Sequence, residues 1–423
     1  MCGISGIVHN IKENIVKFNP EKINIIKDRL KNISCDSITG FLEILSEIEP
    51  FVDSLFAFGN FYNIYSSPLS RGTVEEMAFS LEHSEQELDR FIKHSGISIS
   101  LDMIEKFNSV LIRVRDLIWR IREDLFKNIS KIKNLSHDSN LEEKEHFIHE
   151  LWKLNFTLNN LNRLEVRGRD SAGISCIVTF GHSSGLKNFK DSLQEKLKQD
   201  YEERIRLKDF INCAIVEASS CNNKDMDSIV FTFKVAEEIG KMGDNVGTLR
   251  KTIQEDRVFL TALSGKDRKI NILAHTRWAS NGIINQQNCH PVNNQTEPLP
   301  GTESRNKDYL ISAVLNGDID NFQELKEKFS SLTGRKIGDN ITTDAKIIPL
   351  IVEKFYEETG NLYEAFRLSL NEFKGSMAIA MHSTVEPEKV YLALRGSGQA
   401  LFVGFINGGY VFASELYGIV EES

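Results

Sequence analysis

The second residue of the chain is a cysteine, Cys2, followed by Gly3. A small second residue favours removal of Met1, which would put a thiol and a free α-amine on one carbon. That amine has a reference pKa of about 7.7–8.0, so it keeps a basic fraction near neutral pH and can take the thiol proton without a histidine partner. The other meaning of Cys2 is a small residue near a chain end, the commoner fate of a lone cysteine. AHTRWASNG (residues 274–282) gathers binding groups. Arg277 offers a planar fork suited to a carboxylate, Ser280 a hydroxyl, and Trp278 a cover for a pocket. Taken alone, the segment reads first as a strand end with a surface Arg and a core Trp.

LNGDIDNF (residues 315–322) sets Asn316 and Gly317 after an apolar strand. Asn-Gly tolerates positive φ, so the pair reads as a tight hairpin turn. The functional reading is an oxyanion hole, with the Asn316 amide and the Gly317 N–H as donors; the residues alone favour the turn, though the two are compatible. RGRDSAG (residues 167–173) allows a buried network of Arg167 and Asp170, or a plain connecting loop. In TTDAK (residues 342–346), Asp344 stands near a helix start, where a carboxylate is stabilising in itself and could also hold a substrate ammonium. His275 and His290 lack the spacing and partners of a metal pattern and read as structural. There is no GxxxxGK[ST] and no GxGxxG after a strand, hence no nucleotide loop.

Several kinds of element must hold these residues. CGISGIVHN reads as a buried strand from the extreme N-terminus. Residues 20–155 read as a helical insertion without strand signals. In it, residues 73–92 open with a Thr and a Glu three positions on, a capping-box signature, and residues 104–126 and 142–164 carry apolar stripes at helical spacing. Strand patterns return at SAGISCIVTF (171–180). A charge-dense stretch within about 183–228 reads as a smaller insertion. From residue 271 onward short strands dominate, joined by Gly-containing turns and broken by two helices, which favours antiparallel sheets in an α+β fold.

The 423 residues are two to three domains' worth of chain, 41% of them apolar and 26% charged, as in soluble globular proteins. The net charge of −9 gives no reason to expect nucleic acid or an anionic membrane as partner. No apolar run approaches the ~20 residues of a membrane span, and MCGISGIVHN is no secretory signal. Six cysteines without a CxxC pair fit reduced thiols in the cytoplasm.

In order, the segments MCGISGI, RLEVRGRDSAG, AHTRWASNG, NCHP, LNGDIDNFQELK, TTDAKII, KGSMAIAM, ALRGSGQALFVG and FASE resemble class II glutamine amidotransferases, members of the N-terminal nucleophile hydrolases. RGRDSAG, HTRWA and NCHP together look most like the glutaminase domain of the glutamine–fructose-6-phosphate aminotransferases. The resemblance covers residues 2 to about 15, 157–180 and about 229–423.

The resemblance implies a four-layer αββα sandwich, formed by residues 1–19 and 156–423. It implies that Cys2 attacks the side-chain amide of L-glutamine, giving a γ-glutamyl thioester and ammonia, with its own α-amine as base. Asn316 and Gly317 would stabilise the oxyanion. Arg277, helped by Ser280, would hold the α-carboxylate, Asp344 the α-ammonium, and Trp278 would belong to a mobile cover. Arg167 and Asp170 would support the cysteine. No metal or organic cofactor is implied. The nitrogen would serve glucosamine 6-phosphate synthesis from fructose 6-phosphate, on a sugar-phosphate isomerase domain that this chain lacks, in a cytoplasmic enzyme compatible with a homo-oligomer. Another acceptor, or a non-catalytic interaction module, are the competing expectations. Leu315 stands where relatives commonly carry His, Asn281 likewise, and Arg169 replaces a common Tyr. The chain stops at VEES where relatives run on through further strands, so the domain's C-terminal end is expected to be incomplete.

Overall fold

A computed structural model describes residues 2–9, 18–95, 100–136, 144–181, 184–207, 211–219, 227–236, 243–279, 283–298, 307–406 and 409–419. The chain divides into two compact units, residues 1–12 with 135–423, and residues 13–134.

The larger unit is built on two antiparallel sheets. The first comprises β1 (Gly3–His9), β2 (Ser171–Phe180), β3 (Ile215–Ser219), β4 (Asp227–Val235) and β5 (Arg268–Arg277), together with β12 (Phe402–Ile406) and β13 (Gly409–Ala413). Its order is β12-β13-β1-β5-β2-β4-β3. The second comprises β6 (Val292–Asn293), β8 (Ile311–Gly317), β10 (Met377–Ser383) and β11 (Val390–Arg395), in the order β11-β10-β8-β6. A small ladder pairs β7 (Glu297–Pro298) with β9 (Arg335–Lys336). Strand alternation decides how the sheets meet. Ile4 and Leu273 of the first sheet pack against Val314, Ala378 and Ala380 of the second.

Helices cover both outer faces. Over the first sheet lie α7 (Glu145–Leu164), α10 (Asp244–Glu255) and α11 (Arg257–Ser264). Over the second lie α12 (Phe322–Thr333), α13 (Ile347–Thr359) and α14 (Leu362–Glu372), whose Phe329, Ile348, Val352 and Phe366 meet Leu315, Ile379 and Met381. The result is a four-layer αββα sandwich. The stretch read as a smaller insertion forms α8 (Gly185–Ser192), α9 (Glu195–Ile205) and β3, and β3 extends the first sheet beyond β4.

Residues 13–134 hold the helices α1 (Pro20–Asn32), α2 (Ile38–Leu55), α3 (Phe58–Ser66), α4 (Pro68–Ser95) and α5 (Leu101–Trp119), a π-helical stretch over Arg120–Phe126, and all but the last two residues of α6 (Lys127–Ser136). Ile44, Ile48, Val52, Val74, Leu81, Val110 and Val114 are buried at helical spacing.

Two sequence expectations change. The helical unit ends at 134, not 155. The segment from Glu145 is α7, which lies along β1 and β5, where Asn160 donates to the Ser5 hydroxyl at 3.2 Å. The proposed capping box at Thr73 is interior to α4. The Thr73 hydroxyl donates back to the Leu69 carbonyl, while the Ser67 hydroxyl accepts from Ser70 N–H at the true start.

Candidate active site

Strand register brings the chemistry together. The β1–β5 ladder pairs Gly3 with Thr276, so the next step outward sets Cys2 opposite Arg277. The β2–β5 ladder pairs Ser171 with Arg277, which sets Asp170 opposite Trp278. Both ladders therefore end at the same edge of the sandwich. Gly3 permits this closeness: a Cβ there would lie 2.5 Å from the Thr276 hydroxyl and 2.7 Å from Leu164 Cβ.

The Cys2 thiol is bracketed by the main chain of Trp278. Trp278 N–H donates to Sγ at 3.3 Å, and the thiol donates to the Trp278 carbonyl at 3.6 Å. Burial pushes the thiol's pKa up, while the Trp278 N–H and the nearby Arg277 charge pull it down. Asp170 holds the bracket from behind. Its carboxylate accepts from Ala279 N–H at 2.6 Å, and its own N–H donates to the Arg277 carbonyl at 3.0 Å.

Arg277 and Trp278 reverse the reading of their segment taken alone. Arg277 is 4% exposed and Trp278 52% exposed. Side chains alternate along β5, so Leu273, His275 and Arg277 face the other sheet, while Thr276 turns to α7 and donates to the Leu164 carbonyl. Burial lowers the pKa of the Arg277 guanidinium, and the nearby Cys2, Asp344 and Asp170 oppose that. It donates to the Ile283 carbonyl at 3.2 Å. Ser280, the expected helper of Arg277, lies outside the described residues.

From the second sheet, Asn316 Nδ2 donates to the Cys2 carbonyl at 2.8 Å. The tight-hairpin reading of Asn316-Gly317 is overturned. Both residues stay in β8, paired with Ala378 and Met377 of β10, and the chain runs on to α12. Gly317 still has positive φ, +108°, and a Cβ there would fall 2.0 Å from the Ser376 carbonyl oxygen. Asp344 is fastened to the turn that follows. Its carboxylate accepts from Ile319 N–H at 2.7 Å and from Ala345 N–H at 3.0 Å. Burial raises its pKa against these two N–H groups.

Arg167 is placed apart from this cluster. It forms an ion pair with Glu415 at 3.0 Å and a hydrogen bond with Tyr417, so RGRDSAG contributes Asp170 to the cysteine's surroundings and Arg167 to the segment after β13. The sequence reading missed Asn288. Its Oδ1 accepts from Thr342 N–H at 2.7 Å and Thr343 N–H at 2.8 Å, holding the segment that presents Asp344. Its position inside the NCHP segment was the available signal. Among the described residues no group of three or more His, Cys, Asp or Glu side chains could hold a metal ion.

This arrangement suits nucleophilic attack by a terminal cysteine on a small amide held between a cation and a carboxylate. Among the curated proteins similar to the chain are several named glutamine–fructose-6-phosphate aminotransferase (isomerizing). The Pyrococcus horikoshii protein is 33% identical over 177 residues, 39% of this chain and 27% of that protein. The Thermotoga maritima protein is 31% identical over 180 residues, 42% of this chain and 26% of that one. Over that stretch the chain is similar to enzymes of the class II glutamine amidotransferases. Its particular relatives within that class are these aminotransferases, and it spans only about a quarter of their length. No protein-family profile matches the chain. A solved glutamine phosphoribosylpyrophosphate amidotransferase from B. subtilis, complexed with ADP and GMP, aligns with a TM-score of 0.32 at 16% identity, over 59% of this chain and 43% of that one.

Proposed function

We propose that this chain hydrolyses L-glutamine to glutamate and ammonia through a thioester on Cys2. With Met1 removed, the α-amine of Cys2 takes the thiol proton and Sγ adds to the side-chain amide carbon of glutamine. The negative charge formed on the amide oxygen is met by Asn316 Nδ2 and the Gly317 N–H. The tetrahedral intermediate collapses, the α-ammonium returns its proton to the departing nitrogen, and ammonia leaves a γ-glutamyl thioester. Water, deprotonated by the same amine, cleaves the thioester to glutamate and restores the thiol. Arg277 with Ser280 takes the substrate α-carboxylate, Asp344 its α-ammonium, and the exposed Trp278 covers the bound substrate.

The observation that carries this reading is the Asn316 amide 2.8 Å from the Cys2 carbonyl, which brings an oxyanion donor from one sheet to the nucleophile of the other. Such donors contribute most when fixed before the reaction, each on the order of 100–1,000-fold in rate. The ammonia is destined for fructose 6-phosphate on a sugar-phosphate isomerase domain outside this sequence, as the names of the relatives suggest. The free thiols of Cys2, Cys35, Cys176, Cys213 and Cys289 fit a cytoplasmic setting.

Glutamine-dependent glutamate release by the purified chain tests this, with intact mass confirming loss of Met1. Cys2→Ala is expected to fold and to release no glutamate. A substantial residual rate in that variant would remove the cysteine from the mechanism.

A further inference from the structure

The ladder between β6 and β8 stops early. Val292 pairs with Ala313 and Asn293 with Ser312, and two steps further along the same register residue 290 would stand opposite Leu315. Leu315 immediately precedes Asn316, and it lies opposite Ile379 of β10 on its other side. Two imidazoles take up its main-chain groups. Leu315 N–H donates to His290 Nδ1 at 3.4 Å, and the Leu315 carbonyl accepts from His275 Nε2 at 3.0 Å. The two rings lie 4.3 Å apart between centroids, both fully enclosed.

The hydrogen bonds define the proton positions. His290 Nδ1 accepts, so its proton is on Nε2, which donates to the Thr343 hydroxyl at 3.1 Å. His275 donates from Nε2, and its ring also meets the Asn316 side chain itself. An enclosed imidazole pair is an expensive way to fill a core that leucine or phenylalanine would fill. What the pair does achieve is to clamp both main-chain groups of the residue that aims the oxyanion donor.

We propose that His275 and His290 are positioning residues of the oxyanion site, acting as a two-ring substitute for a strand that fixes Leu315 and through it Asn316 and Gly317. His275 reaches β8 from the opposite sheet, so it also sets the gap across which Asn316 must meet Cys2. His290 adds a second link, since Thr343 adjoins Asp344. The role rests on the glutaminase reading given above.

The test uses the whole chain and variants chosen by hydrogen-bonding shape. The Gln side-chain nitrogen can stand where His275 Nε2 stands, and the Asn side-chain oxygen where His290 Nδ1 stands, whereas Leu supplies neither. His275→Leu is expected to lower kcat by about tenfold to a hundredfold with KM changed less than about threefold, the pattern of an interaction made in the transition state. His275→Gln should recover most of that loss, and His290→Asn should exceed His290→Leu in kcat by about tenfold.

A second readout excludes general damage. L-Glutamate γ-semialdehyde adds the Cys2 thiol across its carbonyl and places an oxyanion where the amide oxygen would be, while L-glutamate makes no such adduct. His275→Leu should weaken the aldehyde about tenfold or more and leave glutamate within about threefold. The proposal is overturned if His275→Leu keeps wild-type kcat, or if it weakens aldehyde and glutamate alike, or if Gln and Leu behave the same at position 275. Should the wild-type chain with Met1 removed release no glutamate, the glutaminase reading and this role fall together. An active wild type with unimpaired leucine variants removes only the role.

Discussion

The two compact units bury different things. In residues 13–134 the buried polar side chains among those described are Asn60, Ser70 and Ser84, and charge is arranged in exposed or half-buried pairs such as Arg113–Glu49, at 2.7 Å, and Arg122–Glu82, at 2.8 Å. The other unit encloses Glu150 with Lys153, Arg204 with Asp256, Lys234, Arg277 and the imidazoles of His275, His290 and His382. Apolar stripes suffice to hold helices together. Enclosed charge costs several kcal/mol per ion unless it is paired, so a unit that keeps so much of it is built for more than holding together. Arg277 is enclosed beside Cys2, while Glu150 and Lys153 lie along α7 and fasten it to β5 through Ile270 N–H at 2.8 Å.

The sharpest way to break the contrast is to remove one partner from each kind of pair. Burial pushes the Glu150 carboxyl up, but the charges and hydrogen bonds of Lys153 and His149 outweigh it and bring the group to about 2. Lys153→Met leaves that carboxylate enclosed without its cation and is expected to cost about 3–5 kcal/mol, read by urea unfolding. A loss under about 1 kcal/mol would show that water reaches the pair.

Acid gives the next largest effect. Burial pushes His275 and His382 down to about 3, and His290 well below its ordinary value. A histidine depressed in the folded state contributes stability that is present above the unfolded pKa, near 6.5, and is lost as pH falls toward the folded value. Each should therefore remove about 2 kcal/mol between pH 7 and pH 5, before Glu150 begins to titrate in the unfolded chain. His275→Gln should show a shallower slope by about one proton. An equal slope in that variant would contradict the enclosed, neutral imidazole. The smallest effect belongs to the helical unit. Arg113→Ala breaks a bidentate but partly exposed bond to Glu49 and is expected to cost no more than about 1 kcal/mol, falling further in high salt.

These contrasts also separate what the sequence could say from what it could not. SAGISCIVTF is β2 end to end, because a buried central strand reads as an apolar run. Cys2, Arg277, Asn316 and Asp344 each have an ordinary structural reading when taken singly, and only the order of their segments along the chain pointed to a shared chemistry. Which of Arg277 and Trp278 is buried was not legible, because that depends on which face of β5 meets the second sheet. The end of the helical unit was missed for a related reason. The apolar stripe of α7 reads the same whether it packs on helices or on a sheet. Its buried polar residues set it apart, among them Asn155 and Asn159, which accept from the Arg250 guanidinium at 2.8 and 3.2 Å. The imidazole pair was invisible because its partners are main-chain atoms of another strand, which no side-chain pattern encodes.

That last feature bears on how the sequence can drift. His275 and His290 grip Leu315 by its N–H and carbonyl, while its side chain points the other way, into the apolar layer beneath α13. Identity at position 315 is thereby uncoupled from the aim of Asn316. Side chains of different shape can stand at position 315 without moving the neighbouring amide, and only proline, which has no N–H to give, is barred outright.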